Sequence, residues 1–542
     1  MTAPRRDEKW WGWGDPAVEP KLDDEALGVL RERIGELEPW PLTSAIEKVE
    51  LPAAEALPRA LVESVGEANV FASSEDRLRH ATGRGYVDLA RLRNGALENA
   101  PDAVVMPPDA DSLRRLIDVC ASEGIAIVPF GGGTSVVGGV EPLRGSHSRV
   151  ISLDLRAMQG VSVDRRSLTA RLGAGLRGPE AEAALAREGL TLGHFPQSFE
   201  YATVGGFAAT RSAGQASSGY GRFDSLVSSI RLLAPAGDMQ TLETPHTAAG
   251  PALRELVVGS EGVLGVIPDV TVRVRPAPAV KRYEAWMAES FDAGAEIVRA
   301  LAQGPGLPQI IRVSDEEETE GTLALSGPRG VSGRLFDGYL GARRRRGGAL
   351  MIVGYEGDEE SVARRRAVGV RALRHGGAAY LGQAAGRAWE HGRYQAPYLR
   401  DTLMGMGAMV ETLETSHTWS RFGELHNAVG DAIRNSLAAQ GTPGLVFCHL
   451  SHAYADGASL YFTFISRARR GAELEQWAAV KRAACEAIVA HGGTITHHHA
   501  VGRDHAPYME AEVGRTGLDL LRAAKERLDP AGIMNPGKLL PS

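Results

Sequence analysis

The chain has 542 residues, 43% hydrophobic and 23% charged, the balance of an ordinary globular protein with room for two to four domains. A formal net charge of −7 gives no global electrostatic basis for holding nucleic acid or an anionic membrane. Three cysteines without paired spacing, Cys120, Cys448 and Cys485, argue against a disulfide framework or a cysteine-based metal centre and suit a reducing compartment.

In chain order, residues 1–95 read as a mainly helical, charged region in which Trp10, Trp11 and Trp13 stand among charges rather than in the apolar core of a signal peptide. No apolar run is long enough to cross a bilayer, and Leu539-Leu540-Pro541-Ser542 is not a peroxisomal tripeptide, so a cytoplasmic protein is expected. A block over 96–278 follows. It opens with a strand at 104–106, a helix over 109–123 with Leu113, Leu116, Ile117 and Cys120 on one face, and a strand at 125–128. Further strands are expected at 150–155, 161–163, 168–172, 230–233 and 270–274, and a helix at 179–189. Over 279–500 a strand–helix–strand texture recurs three times. The sets are 283–287, 293–301 and 310–313; then 350–355, 359–374 and 378–381; then 460–465, 473–490 and 494–496. Such recurrence predicts an antiparallel sheet with helices on one face. A helix over 514–528 then leads into a closing segment, 501–542 forming the last unit. The run Arg343 to Arg346 reads first as a solvated loop, and second as a peripheral contact with an anionic membrane.

Three glycine-rich segments carry the chemistry. Pro129-Phe130-Gly131-Gly132-Gly133-Thr134-Ser135 follows a buried strand, where backbone N–H groups can curl around a pyrophosphate and the two hydroxyls can add donors. The second runs from Gln197-Ser198-Phe199-Glu200-Tyr201-Ala202-Thr203 to Thr210-Arg211-Ser212-Ala213. The third is Glu261-Gly262-Val263-Leu264-Gly265-Val266-Ile267. Each alone suits a structural turn; together they favour a long dinucleotide threaded between sheet and loops. Gly173, Gly175 and Gly178 also match Gly-x-Gly-x-x-Gly, with Glu200 about 20 residues on. The strands before them follow one another with short turns, as in an antiparallel meander, so this match is set aside.

These segments resemble the flavin-binding elements of the vanillyl-alcohol-oxidase-type FAD fold, and in detail the alkyldihydroxyacetonephosphate synthase family. Later stretches share the likeness: Ile311-Arg312-Val313-Ser314-Asp315, Pro397-Tyr398-Leu399-Arg400-Asp401, Gly457-Ala458-Ser459-Leu460-Tyr461-Phe462 and His497-His498-His499-Ala500-Val501-Gly502. The resemblance implies an α+β protein with a two-subdomain FAD-binding domain and an antiparallel-sheet cap bearing helices. It implies that Pro129 to Ser135, Gln197 to Thr203, Thr210 to Ala213 and Glu261 to Ile267 hold FAD. The flavin would be noncovalent, because no histidine or cysteine lies between Pro129 and Gly139. It further implies an exchange of the acyl group of acyl-dihydroxyacetone phosphate for a fatty alcohol in ether lipid synthesis, without net redox, the flavin serving as electron sink and covalent anchor. A homodimer is the expected assembly.

On that reading Tyr461, His497, His498 and His499 are catalytic, and Arg400 and Arg312 bind the acidic substrate. An extended backbone would put His497 and His499 on one face, titrating near neutral pH. The Tyr461 phenol would have its pKa lowered beside a cation. Three adjacent histidines also fit an exposed loop, a buried tyrosine the core, and both arginines ion pairs. No metal is expected, since no cysteine or carboxylate adjoins the histidines in sequence. The closing stretch 528–538 resembles the tail of D-lactate and glycolate oxidising relatives, leaving an FAD-dependent 2-hydroxy-acid oxidoreductase as the alternative. A non-catalytic flavin-binding scaffold is the third reading, and Tyr461 and the histidine triplet speak against it.

Overall fold

Three sheets, built from strands whose side chains match the faces they bury, organise the protein. The computed structural model describes residues 7–327 and 330–541. The first sheet holds β1 (Val70–Phe71), β2 (Ala103–Val105), β3 (Ile125–Phe130) and β4 (Arg149–Asp154), in the order β1-β2-β4-β3. β2, β4 and β3 are parallel. Parallel strands need both faces covered, and Ala103 to Val105 and Ile125 to Val128 are indeed fully buried. The helix Ala110–Glu123 makes the crossover. Asp109 caps it by accepting from the Ser112 amide, Gly124 ends it at φ 61°, and Leu113, Leu116, Ile117 and Cys120 face inward as the spacing predicts.

β3 is an edge strand, and residues from the far end of the chain cover it. The Ile127 amide donates to Ile533 O (2.8 Å), and the Asn535 amide donates back to Ile127 O (2.8 Å). The Asn535 side chain donates to Glu261 O (2.6 Å), and Lys538 Nζ to Glu141 O (2.8 Å).

The second sheet comprises β5 (Val161–Asp164), β6 (Thr169–Gly173), β8 (Val227–Ala234), β9 (Gly237–Gln240) and β10 (Asp269–Arg273), antiparallel in the order β5-β6-β10-β8-β9; β7 (Leu190–Thr191) and β11 (Arg275–Pro276) form a separate ribbon. β6, which ends at Gly173, is therefore antiparallel to both its neighbours, β5 and β10, and is not the strand of a dinucleotide crossover.

The third sheet has seven strands: β12 (Val280–Ala288), β13 (Ile310–Ser314), β14 (Ala349–Gly357), β15 (Ala379–Gly382), β16 (Ala408–Thr418), β17 (Gly444–Ala453) and β18 (Gly457–Arg467). Their order is β15-β12-β14-β13-β17-β18-β16, antiparallel throughout. One face, with Met409, Leu413, Cys448, Leu450, Leu460, Phe462 and Phe464, packs with the helices Phe422–Ala439 and Glu473–Ala490 in a shared core. The other presents Val410, Thr412, Glu414, Phe447, His449, Tyr461, Thr463 and Ile465, following the period of two.

Two expectations need correction. Residues 494–496 form a loop and not a strand: the Thr494 amide reaches Ser416 O (3.3 Å), but the Ile495 amide donates to the Glu512 side chain (3.0 Å) and the Thr496 hydroxyl to Glu414 (2.6 Å), so no ladder continues. β16, β17 and the helix between them stand where no element was expected. In the arginine run, Arg345 Nη2 donates to Gly377 O (2.7 Å), Arg346 Nε donates to Asp337 O (3.1 Å), and Arg343 lies over the Tyr339 ring (5.5 Å). Among the described residues no helix is long and apolar enough to cross a membrane.

Candidate active site

The glycine segments come together as one wall of a cleft of about 560 Å³ between the first two sheets and the polar face of the third. Beyond Phe130 the chain turns so tightly that a Cβ at Gly131 would run into Thr203 Oγ1, and one at Gly132 into the Tyr201 carbonyl. The turn is closed from within, the Gly139 amide donating to Ser135 Oγ (2.9 Å). Pro129 to Ser135 all line the cleft, as do Gln197, Ser198, Ala202, Thr203, Thr210, Ser212, Ala213, Glu261, Gly262, Gly265 and Ile267.

Seven residues of the expected cofactor set lie outside that lining. Val263, Leu264 and Val266 belong to three hydrophobic clusters behind it. Arg211 points outward to Glu255 (2.5 Å). Phe199 stacks on Tyr394 (5.6 Å), and Tyr201 meets Trp13 edge-on (5.6 Å) with its hydroxyl 3.3 Å from that of Tyr398. Glu200 keeps one buried carboxyl oxygen without a protein partner, and burial raises its pKa. The second and third segments therefore reach the cleft with only some of their members, Gln197, Ser198, Ala202 and Thr203 lining it while Phe199 to Tyr201 lie outside. Trp13 from the N-terminal region lines the cleft as well, tied down by its amide donating to Asp401 Oδ2 (2.5 Å).

An elongated polar ligand suits this wall. Gln215 donates to Gln197 (3.3 Å), yet Gln215 Oε1 and Gln197 Nε2 are buried without protein partners, an acceptor and a donor on two side chains that line the cleft.

Opposite stands a row across three strands: Glu414 on β16 pairs with Tyr461 on β18, which pairs with His449 on β17. The Tyr461 ring stacks between His449 (4.8 Å) and His498 (6.0 Å), with His499 edge-on at 5.4 Å. His449 Nδ1 lies 3.2 Å from Glu318, which also holds Arg312 (2.5 Å). Burial opposes the Glu318 charge, but Arg312 and His449 outweigh it and bring its pKa to about 2.

Glu414, which sequence reasoning passed over, organises the histidines. It is 1% exposed, and its carboxylate accepts from the amides of His497 (2.6 Å), His498 (3.0 Å) and His499 (2.8 Å) and from the Thr496 hydroxyl. Burial raises its pKa, yet the surrounding imidazoles and that hydroxyl outweigh burial and hold it well below the usual carboxylate range. The triplet is thus a turn wrapped around an anion and not an extended strand. His498 and His499 line the cleft; His497 does not. Nor do they titrate near neutrality: burial lowers all three, His499 to about 3. Burial pushes the Tyr461 phenol up to about 12, with Glu414 and Glu411 adding to it, so the expected lowering is reversed.

His452, His497 and His498 bring ring nitrogens within 4.8 Å of one another, a spacing open to a metal. Four of their six ring nitrogens are engaged with one another or with protein groups: His452 Nδ1 with Ser217 Oγ (2.6 Å), His497 Nδ1 with His498 Nδ1 (3.0 Å) and His497 Nε2 with Tyr454 Oη (2.8 Å). The cluster reads as a hydrogen-bonded network.

Arg400 lies on the helix Ala396–Gly405 at the cleft wall, Nη1 donating to Arg84 O (2.6 Å) and Nη2 to Asp401 (3.1 Å). Beyond it the lining turns apolar, with Leu399, Leu403, Val410, Phe447 and Ile465.

Family models match two stretches: the FAD binding domain over residues 101–243 and the FAD linked oxidases, C-terminal domain, over 277–539. Alkyldihydroxyacetonephosphate synthase of Trypanosoma brucei brucei is 33% identical, over 98% of this chain and 92% of its own. The chain belongs to the alkyldihydroxyacetonephosphate synthase family. A solved structure of a synthase of that name superposes with a TM-score of 0.85 at 27% identity, over 98% of each chain. At 13% identity 4-ethylphenol oxidase from Gulosibacter chungangensis shares the fold alone, with a TM-score of 0.67 over 97% of this chain and 99% of the other. As a member of this family the protein is an FAD-dependent enzyme, and the glycine wall with its two unpartnered glutamine atoms fits that cofactor.

Proposed function

We propose that the protein exchanges the acyl group of acyl-dihydroxyacetone phosphate for a fatty alcohol. The observation that carries this reading is the order of surfaces in one cleft: a glycine wall, a polar centre of tyrosine, histidines and arginines, and an apolar sleeve from Leu399 to Ile465. A small hydroxy acid would have no use for that sleeve. The synthase likeness over nearly the whole chain supports the same choice, against both the hydroxy-acid and the scaffold readings.

Bound FAD supplies an electron sink for the exchange, with no net change of oxidation state. Pro129 to Ser135 and Gln197 with Gln215 hold it, without a covalent link, since 129–139 contains neither cysteine nor histidine. Arg400 grips the substrate phosphate, a charge-assisted contact whose loss costs about 2–5 kcal/mol. Arg312 acts through Glu318 on His449 and so fixes the ring beneath Tyr461. Tyr461, a neutral phenol, donates to the departing carboxylate, and the neutral imidazoles of His498 and His499 accept the proton of the incoming alcohol. The acyl and alkyl chains lie along the sleeve. Three buried, unpaired cysteines support a cytoplasmic location, and a lipid substrate supports passing contact with a membrane.

The test is the visible flavin spectrum, recorded anaerobically with palmitoyl-dihydroxyacetone phosphate and then hexadecanol. Bleaching with release of palmitate, reversed by the alcohol, is expected. A yellow protein indifferent to this pair and reduced by D-lactate or glycolate refutes the proposal.

A further inference from the structure

A second cavity, of about 570 Å³, lies behind the histidine turn. Arg222, Tyr454, Asp456, His497 and Glu512 are among its lining, and exposed Asp456, Gly492, Ala511 and Glu512 put it in contact with solvent. His498 lines the first cleft and His497 the second, so two adjacent imidazoles stand between the two cavities.

That wall is a continuous line of exchangeable hydrogens. Tyr454 Oη lies 2.8 Å from His497 Nε2, and His497 Nδ1 lies 3.0 Å from His498 Nδ1, leaving His498 Nε2 as the nitrogen able to serve the cleft. Each member is fixed by other groups. Tyr454 sits in the turn between β17 and β18, its amide donating to Gly457 O (2.8 Å) and its carbonyl accepting from Trp419 Nε1 (3.1 Å). Glu414 holds the amides of both histidines and lies 3.4 Å from His498 Nδ1, while His452 stacks on His497 at 5.2 Å. Burial keeps both imidazoles below their ordinary range, with Arg222 acting in the same direction on each. A neutral imidazole carries one N–H and one lone pair, which a relay requires.

We propose that Tyr454, His497 and His498 form a proton relay joining the flavin cleft to the second, solvent-facing cavity. The proposal rests on the exchange reading only for the source of the proton. In that reaction the bond from the substrate's first carbon to the carboxylate oxygen breaks and a bond to the alcohol oxygen forms. At neutral pH the acid leaves as its anion, so the alcohol's proton is left over and one proton per turnover must leave the cleft. It lands on His498 Nε2 as the Nδ1 proton of His498 passes to His497 Nδ1. The Nε2 proton of His497 then passes to Tyr454 Oη, and the phenol proton to water in the second cavity. No electrons move. The opposite tautomer pattern keeps the same hydrogen bonds and carries a proton inward.

The test is Tyr454→Phe, which removes one oxygen, with His497→Gln beside it, an amide able to hold both hydrogen bonds but unable to pass a proton. Both should retain FAD and the KM for acyl-dihydroxyacetone phosphate while kcat falls at least ~10-fold, a size typical of lost proton-transfer steps. Imidazole or formate buffer at high concentration should restore kcat in the variants and leave the parent enzyme unchanged. A second readout needs no turnover: in protein with 15N-labelled histidine, the proton shared between His497 and His498 should exchange with solvent more slowly in Tyr454→Phe. Parent-like kcat without buffer dependence in both variants, or an unchanged exchange rate of that proton, overturns the relay. If the parent enzyme performs no acyl exchange, the function reading fails, and the exchange rate still decides the relay.

Discussion

Replacing Glu414 by glutamine tests the organisation of the site more sharply than any substitution of the histidines themselves. The carboxylate receives four donors: three consecutive amides and the Thr496 hydroxyl. Hydrogen bonds to a charged group contribute about 1.5–3 kcal/mol, neutral ones about 0.5–1.5. If the glutamine oxygen keeps the side facing Thr496, His498 and His499, those three bonds weaken by ~1 kcal/mol each. The amide nitrogen then faces the His497 N–H, donor against donor, and a buried unsatisfied donor costs about 1–3 kcal/mol. The sum, ~4–6 kcal/mol, falls on one turn and exceeds what holds most loops in place. A misplacement of about 1 Å costs ~100-fold in rate. Glu414→Gln should therefore bind FAD with an ordinary visible spectrum while kcat/KM for acyl exchange falls by ~100-fold or more. A variant within threefold of the parent would refute the idea that this carboxylate builds the catalytic turn.

Gly132→Ala, whose new methyl group would collide with the Tyr201 carbonyl, should purify with little flavin, read as the ratio of absorbance at the flavin band to that of the protein. Tyr461→Phe should keep its FAD and lose ~100-fold or more in kcat. With the phenol pushed up to about 12, the parent's rate should show no limb from its ionisation between pH 6 and 9. Acid stability follows from His194, His499 and His505, each lowered by burial to about 3. Below the ordinary imidazole value of about 6.5 the unfolded chain binds protons that the folded one refuses until about pH 3. Stability is therefore whole above about pH 6.5 and falls by ~1.4 kcal/mol per pH unit for each such histidine. Urea denaturation at pH 7, 6 and 5 measures it, and equal midpoints would contradict the buried, neutral assignment.

Much of the framework was legible because it rests on period and punctuation. The helix with Leu113, Leu116, Ile117 and Cys120 inward, the parallel strands beside it and the first two strand–helix–strand sets appear where the spacing put them; the third keeps its first strand and its helix. β16, an edge strand, escaped because Thr412, Glu414 and Ser416 on its cleft face and Glu411 and Thr415 on the other leave neither an apolar run nor a clean alternation of apolar with polar residues. The partners of the site escaped for a different reason. Glu414 lies 83 residues before His497 and Glu318 lies 131 before His449, distances at which one sequence offers no sign of contact. The histidine triplet could be found as a motif, but its conformation follows from a carboxylate on a strand that no periodicity announced. Burial, equally invisible, reversed the titration expected of Tyr461 and the histidines.

The cover over β3 bears on how the enzyme is made. A ribosome that has finished the first sheet has yet to make the segment that covers it, and the strand at its edge still shows bare backbone to any neighbouring chain. Ile533 and Asn535, which close that edge, and Lys538, which reaches Glu141 beside the glycine turn, are translated long after it. Flavin capture in its final form therefore waits for that closing segment. Between the two events a nascent population is open to pairing with itself, and synthesis under riboflavin starvation should raise the aggregated fraction.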